Sequence, residues 1–133
     1  MVLHQNKYVE IILEEENSLI IDKFSSNTKS MLGQEFKEEM HIFVKMCKKH
    51  KPKRELVHLL DMQYMIPPSM QTWMNQEIFP QYENIIERMA FLLPTEIFTQ
   101  LTVKFTMEEE AGQKFLQKYF DNEQEARKWL MEE

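Results

Sequence analysis

The sequence predicts a single α/β domain: a mixed sheet of about five strands flanked by about four helices, in the order β-β-α-β-α-β-α-β-α. Three observations predict it. Two period-two runs stand together near the start, joined by three polar residues. Helical periodicities then alternate with short apolar runs, the pattern of parallel β-α-β units with right-handed crossovers. Finally, 43% of the 133 residues are hydrophobic, enough for one real core and too much for a disordered chain. Residues 1–133 are read as one domain, with no repeat, linker or low-complexity segment.

Tyr8 to Glu14 (YVEIILE) alternates Val9, Ile11 and Leu13 with Tyr8, Glu10, Ile12 and Glu14, which predicts a strand with one wetter face. Ser18 to Phe24 (SLIIDKF) predicts its antiparallel partner across Glu15-Glu16-Asn17. Glu10, Glu14 and Asp22 are expected on the solvent side. SSNTKS follows as a loop. Phe36, Met40, Phe43, Val44 and Cys47 then share one face of a helix, with acids early, lysines late and Pro52 closing it. Glu38, Glu39 and His41 fall on the solvated side of that helix.

ELVHLLDM, Glu55 to Met62, is apolar on both faces and predicts a strand inside a helix-covered sheet. After Pro67-Pro68, Ser69 is expected to cap a helix carrying Met70, Trp73, Met74 and Ile78, with a kink at Pro80. RMAFLL, from Arg88, is a short buried strand. Thr95 is expected to cap a helix whose apolar stripe is Ile97, Phe98, Leu101 and Phe105. FLQKYF, Phe115 to Phe120, is the last strand. Asp121 or Asn122 caps a final helix with Ala126, Trp129 and Leu130.

This order, with RMAFLLPTEIFTQL and KYFDNEQEARKWL in the C-terminal half, resembles STAS domains, specifically the small stand-alone SpoIIAA-like branch. Ala126, Trp129 and Leu130 occupy that branch's A-x-x-W-L helix pattern. The resemblance spans about Tyr8 to Leu130. It implies a mixed sheet flanked by helices and a non-enzymatic role in protein association or ligand sensing. Some STAS proteins are phosphorylated on a serine at the start of the helix after the central strand, in a D-S-S-G context. Here that region reads DMQYMIPPSMQTW, with Ser69 alone and no second serine or glycine. The branch is also similar in outline to CRAL-TRIO lipid-transfer domains, which implies an apolar ligand groove.

Composition excludes several functions. Two glycines leave no Gly-rich phosphate loop, and no G-x-S-x-G turn occurs. A net charge of −6 argues against nucleic acid as ligand, although Lys45 to Arg54 is locally basic and read as a solvated helix end. Cys47 is the single cysteine and is expected to be a buried core residue; with no disulfide framework, the chain fits a reducing, cytoplasmic compartment. No cofactor is expected. His4, His41 and His50 lack metal-ligand spacing, so no metal site is expected. No apolar run is long enough to span a membrane.

Candidate residues are few. Ser69 is a helix cap first and a phospho-acceptor second. His58 is expected as a core histidine with a satisfied nitrogen. Asp61 sits at a strand's carboxyl end, where open α/β sheets place ligands. Around it, Tyr64, Met65, Met70 and Trp73 form an expected apolar partner or ligand surface. The leading expectation is a non-enzymatic regulatory or protein-interaction module of STAS type. Its alternative is a small binding protein for a lipid or other apolar ligand, held in an internal pocket lined by Met, Phe and Leu. A homodimer through the first hairpin's edge or the methionine-rich surface is the further expectation.

Overall fold

In a computed structural model describing residues 1–132, strands β2 (Val9–Glu14) and β3 (Leu19–Phe24) form the expected antiparallel hairpin, with Val9 opposite Phe24 and Glu14 opposite Leu19. Glu133 lies outside the described residues. The sheet has six strands, not five: β1 (Val2–Gln5) pairs antiparallel with β2 at the edge. VLHQ is too short to show alternation, and its register slips between Val2 and His4, so local pattern could not reveal it.

Strands β4 (Arg54–His58), β5 (Arg88–Leu92) and β6 (Gln117–Phe120) extend the sheet in parallel with β3, and the strands lie in sequence order. Each crossover therefore advances one strand the same way. Right-handed connections then put all three crossover helices on one face. These are α1 (Gly33–His50), α2 (Pro68–Trp73) and α3 (Ile97–Glu108), which share the larger core with Val9, Ile11, Ile20, Val57 and Phe91. Helix α4 (Glu123–Leu130) covers the other face, where Ala126 and Leu130 pack on Leu19, Ile21, Leu56, Ala90 and Leu92.

Helix α1 buries Phe36, Met40, Phe43, Val44 and Cys47 as its periodicity predicts. It also buries Glu39, contrary to the expected solvated side. Asn6 Nδ2 donates to both Glu39 oxygens, and His4 Nε2 lies 2.9 Å from Glu39 Oε1. The edge strand and its turn supply that carboxylate's partners, so its burial became visible only once β1 was in place.

The helix after β4 starts two residues earlier than expected. Pro67 is the N-cap, Pro68 opens the helix, and Ser69 lies in the first turn without a capping bond. Instead of a simple kink, α2 runs into a π-helical turn, Met74–Ile78, and then a 3-10 turn at Phe79–Gln81. Asn75 anchors the π turn: its Nδ2 donates to Gln71 O and Thr106 O, and its Oδ1 accepts from Gly112 N at 2.7 Å. Helix α3 is capped by Glu96 rather than Thr95, through bonds from the Phe98 and Thr99 amides. Asn122 caps α4, accepting from Glu125 N.

Helix α3 reverses the expected orientation. Its apolar stripe faces outward, with Ile97 58%, Phe98 64%, Leu101 38% and Phe105 50% exposed. Thr99, Val103, Thr106 and Met107 face inward. Burial of the threonines is tolerable because their hydroxyls find partners within the helix and its cap. Thr99 Oγ1 donates to Glu96 Oε2, and Thr106 Oγ1 donates to Thr102 O.

Candidate functional site

Between the sheet and helices α1 to α3 lies an internal cavity of about 60 Å³. The sheet floor is one pleat face: Asp22 and Phe24 from β3, Glu55 and Val57 from β4, and Met89 and Phe91 from β5. Helix α1 contributes Phe36, Met40 and Phe43, the π turn and its exit contribute Met74, Phe79 and Tyr82, and α3 contributes Val103, Thr106 and Met107. Five of the chain's methionines line it, the others being Met62 and those just named. Methionine is the side chain best able to adapt to a changing occupant.

The two acids are the cavity's unusual feature. Asp22 and Glu55 are 4% and 3% exposed. The expected solvent position of Asp22 is overturned by the hairpin register. Asp22 pairs with Ile11, paired residues share a face, and Ile11 faces the core. Glu55 pairs with Ile20 on the same face, one pleat step from Asp22. Glu55 Oε1 has no hydrogen-bond partner among the described residues. Burial pushes Asp22 up to about 8, helped by the nearby charge of Glu39. Burial pushes Glu55 well above the usual carboxylate range, helped by Asp22. Burial therefore favours the protonated form of both acids. Tyr82 and Cys47 close the polar group around them; burial and these same acids raise the phenol and the thiol. Cys47 is buried, as its helical phase predicts.

The residues expected to form a partner surface are divided by the fold. Asp61, Met65 and Ser69 are exposed, and Trp73 is half-buried with Lys37 over its ring. Tyr64 and Met70 instead pack into the core, Tyr64 stacking on Phe36 at 4.8 Å. The Asp61–Trp73 region therefore presents no continuous apolar surface: the loop turns Tyr64 and Met70 inward against α1. His58 also departs from expectation. Its Nδ1 is buried without a partner, and its Nε2 stands 3.6 Å from Glu123 Oε1, too far for a hydrogen bond. Burial, and then Lys23, lower its pKa.

Asp22, Glu55 and Tyr82 were missed by sequence reasoning as site residues. Two signals were present: an acid beside the aliphatic residues of each of two strands, and a hairpin link short enough to fix the register that sends Asp22 inward. Among the described residues no group of three His, Cys, Asp or Glu could hold a metal ion, and no helix is long and apolar enough to cross a membrane. Comparison with protein-family models, with curated proteins and with solved structures gives no match.

Proposed function

We propose that this chain is a non-enzymatic binding protein that holds a small, largely apolar molecule between its sheet and helices α1 to α3. The observation that carries this is the cavity, lined by two buried acids of which Glu55 has an oxygen without a hydrogen-bond partner among the described residues. A void of that size costs about 1–2 kcal/mol, and an unpartnered buried carboxyl oxygen adds roughly 1–3 kcal/mol. A core selected for stability alone would fill the void and replace the acids. Departures of this kind are characteristic of binding sites. The π turn in the wall supports the same reading, since such turns recur at functional sites.

Native mass spectrometry of freshly purified protein, with thermal-shift screening of small apolar compounds, tests this. The expected result is a mass adduct or a stabilising compound that Val57→Trp, which fills the cavity, abolishes. A bare mass together with no thermal shift across the panel overturns it.

A second reading, a STAS-type regulatory or protein-interaction module, is favoured by the outward stripe on α3. Four large apolar residues exposed together on one helix mark a contact surface. This moves the expected partner surface from the Asp61–Trp73 region to Ile97, Phe98, Leu101 and Phe105. Cross-linking from a photoreactive group at Gln100 should capture one defined partner, and Phe98→Glu with Phe105→Glu should abolish capture while the circular dichroism is unchanged. Equal capture by the double variant removes this reading. The lone buried thiol suits a reducing compartment, which supports a cytoplasmic location.

A further inference from the structure

We infer that the cavity receives the ammonium head of a small primary amine, with Asp22 and Glu55 as its counter-charges. This rests on the reading of the cavity as a ligand site and names the ligand's chemistry.

The lining selects by charge. It contains two acids and no lysine, arginine or histidine. A carboxylate or phosphate head would be desolvated in an apolar cavity with no cation to offset its charge, so fatty acids and phosphorylated ligands are disfavoured. A purely apolar occupant leaves Glu55 Oε1 as unpartnered as before. An alkylammonium carries three N–H donors for the two carboxyls and for Thr106 or Tyr82, and an apolar chain for the methionines. The aromatic residues Phe36, Phe43, Phe79, Phe91 and Tyr82 add ring faces that attract a cation once it is desolvated. About 60 Å³ has room for two water-sized groups, which fits an ammonium and its first carbon or two. Longer chains require movement of the methionines or the π turn.

The proton balance is explicit. Before binding, burial favours the protonated carboxyls. When an ammonium ion enters, a carboxyl O–H bond breaks, its proton leaves to solvent, and the carboxylate pairs with the ammonium. The groups that set this equilibrium are Asp22 on β3, Glu55 on β4, Glu39 and Cys47 on α1, and Tyr82 after the π turn. The cavity-lining residues of α3 and β5 carry no titratable side chain. Binding should therefore release a proton and tighten as pH rises from 6 to 8.

The test is an NMR titration of the methionine methyls in the full chain with propylammonium, propanol and butyrate, paired with an unbuffered titration that counts released protons. Propylammonium is expected to shift the Met40, Met74, Met89 and Met107 methyls and release a proton. Glu55→Gln alone, and with Asp22→Asn, should weaken it at least tenfold while the folded spectrum is retained. If propanol or butyrate binds as tightly as propylammonium, or the double variant binds as well as the parent, the amine assignment fails and the cavity remains a ligand site. If none of the three shifts the cavity methyls, both the assignment and the ligand-site reading fail.

Discussion

Glu55 on β4 and Asp22 on β3 stand on the same pleat face of adjacent parallel strands, one step apart, with both carboxyls buried against an apolar cavity. Two like acids so placed cannot both ionise cheaply. Asp22 raises Glu55, Glu39 raises Asp22, and burial raises both, so the pair shapes how the protein responds to pH.

The sign of that response follows from the bound protons. Asp22 titrates near 8 when folded and near 4 when unfolded. Between those values the folded state holds the extra proton, so stability falls as pH rises from about 4 to 8, by up to about 1.4 kcal/mol per pH unit for this group. Glu55 acts in the same direction. Thermal unfolding should show a higher Tm at pH 5 than at pH 8, and Asp22→Asn should raise the Tm at pH 8 and flatten the slope. A wild-type Tm that is flat or rising over this window contradicts the buried, protonated pair.

Asn75 joins three segments through one side chain: the π turn, the end of α3 and Gly112. Replacing it by leucine leaves the Gly112 amide and the Thr106 carbonyl unpaired, at a cost of about 3 kcal/mol. Chemical denaturation should show that loss. Gly112→Ala should destabilise through the same junction, because an added Cβ would stand 2.8 Å from the Met107 backbone.

Arg127 ties α4 to β2. Its guanidinium holds both Glu14 oxygens, at 3.0 and 2.9 Å, while its Nε donates to Glu123 at 2.7 Å. The Arg127 hydrogen bonds hold Glu14 below the usual carboxylate range. The pair's contribution is therefore present above the unfolded carboxylate pKa and is lost as pH falls through the lowered one. Arg127→Ala should cost about 1 kcal/mol, less at high salt, and Arg127→Lys should not restore it because the fork geometry is gone. Urea melts at two ionic strengths measure both effects.

Cys47 should be inert in the folded protein. It is fully buried, and desolvation, then Glu55 and Asp22, hold its thiol above its ordinary range. Its reaction with a thiol reagent should be at least about 100-fold slower in buffer than in denaturant. Fast native labelling would show that α1 opens at this position.

The sequence by itself determined whatever depends on neighbours along the chain. The β2–β3 hairpin, the alternation of strands and helices, the apolar face of α1 and a cap at Asp121 or Asn122 were legible because periodicity and capping are local. What joins distant residues was decided by the tertiary structure. Edge strand β1 exists through its pairing with β2 and the bonds its flanks make to Glu39. The stripe on α3 has the right period, but period alone does not say which face meets the sheet. Here the sheet took the threonine face, whose hydroxyls the helix and its cap had already satisfied. Tyr64 and Met70 were drawn inward by packing on α1, and Asp22 by its register with Ile11. An acid in a strand reads as exposed until its cross-strand partner is known: pairing with Ile11 puts Asp22, and pairing with Ile20 puts Glu55, on the face that lines the cavity.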